Sequence, residues 1–335
     1  MIGGPMRLRG LAVLVLVLTV LAGCEAPRPA PDPRAVVDSA LAALAAEPAV
    51  AYRLPDATLT VTRGGLVEGR IPLRGEHVKA LRVGGALYVF ASPAYWQAQG
   101  MSAARAARFG GQWTRADRGM PFDPGRALAP QVVAAALRAA LPAGALPVRA
   151  GDAVDLAGLR VSTTVPHRVL SFPPAFLGPV AAELGSPEVQ LDDDVHLDDL
   201  RTRLDEGVAG LGQPLIAGPA IAANVTGHDL RCTTGGACTD SVRVDNRLLG
   251  TAPGVLARVV FTSTVTSDAL GARTCARELV LPLDTPADIA CSVRFTLPRT
   301  DGATRIHAAP TVTAEPVAVV DPDALRRDVA AELGP

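Results

Sequence analysis

The sequence of 335 residues has few aromatic side chains, at 4%, and Lys79 is its only lysine. Acidic and basic residues nearly balance, with a formal net charge of −1. A nucleic-acid-binding domain normally carries a basic excess, so we expect no nucleic-acid partner. After residue 22 no apolar run approaches the roughly 20 residues that a membrane-spanning helix needs.

Several catalytic and cofactor motifs are also absent. The chain has no G-x-S-x-G elbow, no H-E-x-x-H pair, no P-loop and no G-x-G-x-x-G run opening a helix. No histidine lies at helical spacing from another histidine; the five are His77, His167, His196, His228 and His307. We therefore expect no cofactor, no metal and no enzymatic activity, although a hydrolase site assembled from distant residues stays open.

The N-terminus has the pattern of an export signal. Arg7 and Arg9 precede an apolar run from Leu11 to Ala22, which is too short to span a bilayer and fits a signal peptide. The run ends in Leu-Ala-Gly-Cys24, which resembles the bacterial lipobox, where the cysteine thiol takes a diacylglyceryl group. We predict a signal peptide over residues 1–23 and lipid attachment at Cys24. The alternative is an ordinary secretory signal followed by a chance cysteine.

Acylation of Cys24, with palmitate among the acyl chains, predicts a protein held on the extracytoplasmic face of the cell membrane. Each buried methylene contributes roughly 0.8 kcal/mol, so several chains anchor a protein stably where one is marginal. Prolines alternate with small or charged residues over residues 24–33, which predicts a stiff, extended tether between the lipid anchor and the folded chain.

The other four cysteines form an even set, which in an exported chain favours two disulfides. They are Cys232, Cys238, Cys275 and Cys291. A four-thiolate zinc site is the alternative, but the gaps between these cysteines differ from the paired C-x₂-C spacing of zinc ribbons. Three pairings are possible. Proximity favours Cys232–Cys238 closing a short loop and Cys275–Cys291 tying one hairpin.

Helical and β-type patterns mix over residues 34–212, which predicts an α+β domain. Asp32 and Pro33 supply an N-cap and a first helical position. Further helices are expected at Pro130 to Leu141 and at Asp198 to Val208. Short β-type runs, some separated by glycine pairs that favour hairpin turns, cover Val50 to Leu54, Ala57 to Thr62, Leu66 to Leu73, His77 to Ala91 and Leu159 to Phe172.

A glycine-proline cluster from Gly207 to Pro214 marks the predicted domain boundary, so a second domain is expected over residues 213–335. Its β-type runs are Leu215 to Val225, Ser241 to Val244, Val255 to Val265, Arg277 to Leu283, Ile289 to Leu297 and Thr304 to Val319. This spacing is typical of a small antiparallel β-sandwich. A short helix with Asp321 as its N-cap is expected at the end.

The scarce aromatic residues are concentrated in one stretch of the first domain. Seven of the twelve lie there: Tyr88, Phe90, Tyr95, Trp96, Phe109, Trp113 and Phe122. Apolar and aromatic groups line most ligand sites, so one interpretation is a groove for an acyl chain. The other is that these residues are only the core of a sheet packed on helices.

The run from Ala86 to Pro93 (ALYVFASP), followed by Tyr95-Trp96 and by Gly-Gly-Gln-Trp113-Thr, resembles a segment of the LppX/LprG-like lipoproteins of actinobacteria. The resemblance extends over roughly Val36 to Val180. That family has a half-barrel sheet wrapped around helices, and some members hold lipids or glycolipids in the cavity between them. The resemblance implies a half-barrel-like antiparallel sheet and acyl-chain binding here. The added disulfide-bearing domain departs from a simple carrier.

The acidic run from Leu191 to Asp199 is the densest candidate metal cluster. It lacks the glycine and the glutamate that an EF-hand calcium loop requires, and acidic residues also favour a helix N-terminus. We therefore interpret it as a solvated helix start.

Together these features predict a non-enzymatic envelope lipoprotein that binds a lipid or glycolipid, with Tyr88, Phe90, Tyr95, Trp96 and Trp113 as candidate ligand-binding residues. The alternative is a membrane-anchored scaffold that holds another envelope protein and has no ligand cavity.

Overall fold

A computed structural model of the protein describes residues 32–73, 75–116, 120–252, 254–297 and 304–334. The predicted signal peptide, Cys24 and most of the proline-rich tether lie outside the described residues. Within the described ranges, no helix is both long enough and apolar enough to cross a membrane.

The described residues form eight α-helices: α1 Pro33–Ala46, α2 Pro93–Ala98, α3 Ala103–Phe109, α4 Pro124–Ala127, α5 Pro130–Ala140, α6 Ala181–Leu184, α7 Leu197–Leu211 and α8 Pro322–Leu333. A 3₁₀ segment precedes α6. Local capping explains where several of them begin. The Asp32 carboxylate accepts from the backbone N–H of Arg34 at 3.0 Å, and Asp321 caps α8 in the same way. The four helices predicted from sequence, α1, α5, α7 and α8, are confirmed.

The strands are β1 Ala49–Leu54, β2 Ala57–Thr62, β3 Val67–Leu73, β4 Glu76–Val83, β5 Ala86–Phe90, β6 Trp113–Arg115, β7 Val148–Ala150, β8 Ala153–Leu156, β9 Leu159–Ser162, β10 Val169–Phe172, β11 Val189–Asp192, β12 Leu215–Ile216, β13 Ala220–Cys232, β14 Ala237–Leu249, β15 Val255–Ser267, β16 Gly271–Leu281, β17 Ala287–Arg294 and β18 Ile306–Ala318. The strands predicted from sequence are all present within one to several residues of their predicted ends, and β13, β14 and β16 are longer than expected.

Fifteen strands form one sheet in the order β16-β15-β18-β12-β6-β5-β4-β3-β2-β1-β11-β10-β9-β8-β7. The other three form a second sheet in the order β13-β14-β17. The pairing is antiparallel except between β12 and β6. The structure is therefore α+β with a large, mostly antiparallel sheet, as predicted. The half-barrel shape and the separate sandwich stay predictions.

One face of the central strands packs on helices and forms the main core. Val50, Tyr52 and Leu54 alternate along β1, so their side chains lie on the same face. They share a buried cluster with Leu41 of α1 and Leu137 of α5, all of them less than 9% exposed. This cluster is the largest apolar core of the described chain.

The opposite face is covered at one end by α7 and α8. Leu81 on β4 and Tyr88 on β5 are buried there against Leu204 of α7 and Val329 of α8. Gly207 lets α7 approach closely, because an added Cβ would lie only 3.1 Å from the Leu81 side chain. Helix α7 covers this end of the face, and the neighbouring strands stay accessible to solvent.

The three-stranded sheet packs against the far end of the large sheet. Val244 on β14 and Ile289 on β17 share a buried cluster with Val259 and Phe261 on β15 and with Ala314 on β18. Alternate residues of β15 are buried along the whole strand. Because one face of each sheet is buried against the other sheet, buried and more exposed residues alternate along β15.

Strand β12 joins the two predicted domains. Leu215 pairs with Thr114 of β6 on one side and with Val317 of β18 on the other. Leu215 and Val317 also belong to the main apolar core. The hydrogen-bonded sheet therefore continues past the predicted boundary at Pro214, and the division into two domains stays a prediction.

Both favoured cysteine pairings are present. The sulfurs of Cys232 and Cys238 lie 2.11 Å apart, and those of Cys275 and Cys291 lie 2.04 Å apart. The prediction that Cys275–Cys291 ties one hairpin was wrong. Strand β16 pairs with β15, whereas β17 pairs with β14, so this disulfide links the two sheets. The two bridges indicate an oxidising, extracytoplasmic environment.

Candidate functional site

The predicted aromatic cluster is divided between the two faces of the sheet. Tyr95 and Trp96 are 0% and 3% exposed and lie in the main core. The Trp96 ring makes edge contacts with Tyr95, at 5.1 Å between centroids, and with Phe109, at 5.6 Å. The three rings are part of the main apolar core, and none of them lines the groove described below.

Strand alternation places Tyr88, Phe90 and Trp113 on the opposite face, whereas Phe122 packs against the main core. Leu87 and Val89 of β5 point into the main core, so Tyr88 and Phe90 point away from it. Tyr88 is buried under α7, whereas Phe90 and Trp113 are half-buried and contact each other edge to face at 5.7 Å. The structure thus brings Phe90 and Trp113 together and separates them from Trp96.

The main core is closely packed where the family resemblance implies an acyl-chain cavity. An apolar cavity beneath the sheet has a volume of only about 10 Å³, and Tyr52, Leu59, Ile71 and Leu128 are among its lining residues. Burial raises the pKa of Tyr52, whose hydroxyl donates to the Leu128 carbonyl at 2.6 Å. This cavity is about the size of one water molecule and leaves no room for a ligand.

A large open groove lies on the opposite face of the sheet, beside α7. Its volume is about 1420 Å³. Strands β1 to β4 form its floor, and α7 with the segment before it forms one wall. The charged and polar side chains that line it are Arg53, Asp56, Thr58, Thr60, Glu68, Arg70, Lys79, Ser186, Glu188, Gln190, Asp192, Asp194, His196, Asp199, Arg203 and Glu206. This groove is the candidate functional site, and Trp113 is the one predicted ligand-binding residue among its lining residues.

Strand register places four side chains in a row across this face. Arg70 pairs with Lys79, Lys79 with Phe90, and Phe90 with Trp113, on the neighbouring strands β3, β4, β5 and β6. The Lys79 ammonium lies 5.3 Å from the centre of the Phe90 ring, within the range of a cation–π contact. Two cations thus continue directly into two aromatic rings. We call these four residues the cation–aromatic row.

Two ion pairs tie the wall of the groove to its floor. Arg203 of α7 donates to Glu68 of β3 at 2.8 Å. Arg53 of β1 pairs with Asp192, at the end of β11. Both arginines are more than 40% exposed, so each pair contributes little to stability. They leave these two arginines paired with carboxylates.

The acidic run predicted to be a solvated helix start forms the rim of the groove. Asp192 pairs with Arg53, and Asp193 pairs with Arg168. The hydrogen bond from Arg168 to Asp193 raises the pKa of the guanidinium. Burial, followed by the charge of Asp193, raises the pKa of Glu47. Among the described residues, no group of three or more histidine, cysteine or acidic side chains is arranged to hold a metal ion.

Sequence reasoning did not single out Arg70, Lys79 or the arginine-carboxylate pairs of the groove. One signal in the sequence pointed to this site. Lys79 is the only lysine of the chain, and Arg70 lies on the preceding strand, β3. The pairing of Arg70 with Lys79 depends on the register of β3 against β4, which a single sequence does not supply.

Comparisons with protein-family models, with curated proteins and with solved structures found no match for this chain.

Proposed function

We propose that this chain is a non-enzymatic binding protein of the cell envelope that holds a hydroxyl-rich ligand, a saccharide or the sugar head of a glycolipid, in the groove beside α7. Acylation of Cys24 would keep the protein at the membrane surface, close to such molecules. The observation that carries the proposal is the cation–aromatic row, of which Arg70, Lys79 and Trp113 line an open groove of about 1420 Å³.

The groove suits a polar ligand better than an acyl chain. Its floor carries Thr58 and Arg70, and its wall carries Asp199 and Glu206, so groups that can form hydrogen bonds make up about half of its lining surface. Its volume exceeds the roughly 300–1,000 Å³ of most small-molecule pockets, which fits an elongated ligand. A saccharide presents hydroxyl groups all along its length and meets this pattern.

The aromatic end of the row gives a saccharide a second kind of contact. The C–H face of a sugar ring is apolar and packs on an aromatic side chain, while its hydroxyls bond to polar neighbours. Phe90 and Trp113 are half-buried, and Trp113 lines the groove. Aromatic and polar groups side by side are what such a ligand requires.

The family resemblance implied a lipid or glycolipid, and this proposal retains the glycolipid through its sugar head. An acyl chain in the main core would require repacking around the cavity of about 10 Å³ beneath the sheet. Cores are packed at near-crystalline density, so that rearrangement would be costly. The groove needs no such change.

A blocking variant tests the proposal. Thr58→Trp places a large ring on the groove floor from an exposed position of β2, and Thr226→Trp makes the same exchange at an exposed position of β13, outside the groove. The full chain is purified in detergent and applied to an array of bacterial saccharides. We expect binding by the unchanged protein and by Thr226→Trp, and at least a tenfold loss with Thr58→Trp. Absence of saccharide binding by the unchanged protein would contradict the proposal.

A second candidate function is a protein-interaction module, which β13 favours. This strand of 13 residues lies at the edge of the three-stranded sheet and is largely exposed. Edge strands present unpaired backbone groups that can add a further strand. A photo-crosslinking residue at Val225, which is 44% exposed, tests this in the cell envelope. A specific protein adduct would favour the interaction module. The absence of any adduct would count against it.

A further inference from the structure

We infer that the groove selects a saccharide with an acidic group, and that this carboxylate or phosphate binds between Arg70 and Lys79. The inference rests on the proposed saccharide-binding function and adds to it the charge of the ligand and the side chains that recognise it.

The two cations lie directly opposite each other on neighbouring antiparallel strands. Cβ atoms of such partners are about 4.5–5.5 Å apart, and like charges in this position destabilise a sheet. Both residues are exposed on the groove floor. An anionic group between them would turn this repulsion into two attractive contacts.

Neither cation is neutralised by a carboxylate among the residues that the structure describes, whereas the other two arginines of the groove are. Arg53 pairs with Asp192 and Arg203 with Glu68. The contact found for Lys79 is with the Phe90 ring. Arg70 and Lys79 therefore retain donors for an incoming anion, and Arg offers the planar, bidentate geometry that suits carboxylate and phosphate.

The row also sets the distance between the acidic group and a sugar ring. Lys79 and Trp113 lie two strands apart, which corresponds to about 10 Å at the usual strand spacing. An acidic group between Arg70 and Lys79 thus places the adjoining sugar unit toward Trp113, the aromatic residue of the row that lines the groove. A ligand of this kind uses both ends of the row at once.

Carboxylates on the rim limit the total charge that the groove accepts. Asp56, Asp194, Asp199 and Glu206 line the same groove, so a ligand with negative charge along its whole length would be repelled there. The preferred ligand therefore carries an isolated acidic group among neutral sugars. A polyanion should bind more weakly.

A matched pair of probes tests the inference. The first is an oligosaccharide that contains one uronic acid, and the second is the same oligosaccharide after reduction of the carboxyl group. Calorimetric titration of the full chain should show about tenfold tighter binding of the acidic probe at low salt, as two exposed ion pairs provide. In the double variant Arg70→Gln/Lys79→Gln the preference should fall below about twofold, and binding of the neutral probe should stay unchanged.

The control is Arg277→Gln, an exposed arginine of β16 outside the groove, which should keep the full preference. Thermal unfolding without ligand gives a second readout. The double variant should be about as stable as the unchanged protein, because removal of the like-charge contact offsets loss of the Lys79–Phe90 contact. Loss of the acid preference with unchanged stability supports the inference.

The outcomes separate the two proposals. If neither probe binds, the proposed function fails. If both probes bind equally and Thr58→Trp blocks both, the groove binds saccharides and the acidic site is refuted. Vesicles carrying the acidic saccharide as a lipid head distinguish the source: tighter binding there than to the free probe indicates a glycolipid, and equal binding indicates a free saccharide.

Discussion

The charge cluster around Glu315 gives the sharpest prediction about the stability of the chain. This glutamate of β18 has a side chain only 7% exposed, and it accepts from Arg105 at 3.0 Å and from Arg108 at 2.6 Å, both on α3. It therefore links a helix before the predicted domain boundary to a strand after it. The change Glu315→Gln keeps the size of the side chain and removes the charge.

The expected loss follows from burial. Removing one partner of a fully buried ion pair destabilises a protein by about 3–5 kcal/mol, because a buried charge is left without its counterion. Arg105 is 19% exposed and Arg108 is 37% exposed, so water screens part of the remaining charge. We expect Glu315→Gln to lower the free energy of unfolding by about 2–3 kcal/mol.

Urea unfolding, followed by tryptophan fluorescence and far-ultraviolet circular dichroism, measures this loss. Glu278→Gln is the matched control, since its carboxylate is 58% exposed and 3.4 Å from Arg258, and it should cost less than about 0.5 kcal/mol. A double-mutant cycle between Arg105 and Glu315 should give a coupling of about 1 kcal/mol or more. If Glu315→Gln costs no more than the control, the burial argument is refuted.

Three further predictions concern the anchor, the bridge between the sheets and a buried hydroxyl. Cys24→Ala should move the protein from the membrane fraction to the supernatant and abolish palmitate labelling; retention on the membrane would contradict lipid anchoring. Replacing Cys275 and Cys291 by alanine opens a loop with a sequence separation of 16 and should lower the free energy of unfolding by about 3 kcal/mol, because the unfolded chain gains entropy. Urea unfolding under non-reducing conditions measures this loss, and an unchanged midpoint would refute the prediction. Tyr52→Phe leaves the Leu128 carbonyl without its donor and should cost about 1–3 kcal/mol. Burial raises the pKa of Tyr52 above its usual value of 10.0, so at high pH the folded protein keeps a proton that the unfolded chain releases. Stability should therefore fall as pH rises above about 10. Tyr52→Phe should remove that part of the pH dependence.

Local sequence chemistry was sufficient for most helices and strands. The N-cap at Asp32 and the proline after it determine where α1 begins, and these residues need no tertiary partner to do so. Alternation of apolar residues along β15 likewise predicts a strand with one buried face. Such signals lie within a few residues of one another, which is why they can be read from one sequence.

Local signals did not show which face of the sheet each aromatic residue joins. Trp96 and Trp113 were grouped because they are close in sequence, but strand and helix geometry place them on opposite faces of the sheet. Composition alone does not say which face a residue joins. The same limit applied to Cys275. Proximity in sequence predicted its partner, Cys291, but did not predict that their disulfide links the two sheets.

The sequence by itself determined the mixed α+β class, the ends of the main helices, and the cysteine pairing that proximity favoured. Only the tertiary structure decided that β12 continues one sheet past Pro214, that the main core is filled, and that Arg70, Lys79, Phe90 and Trp113 form one row. The physical reason is that helix caps and strand alternation are local, whereas register and sheet order bring together residues tens of positions apart.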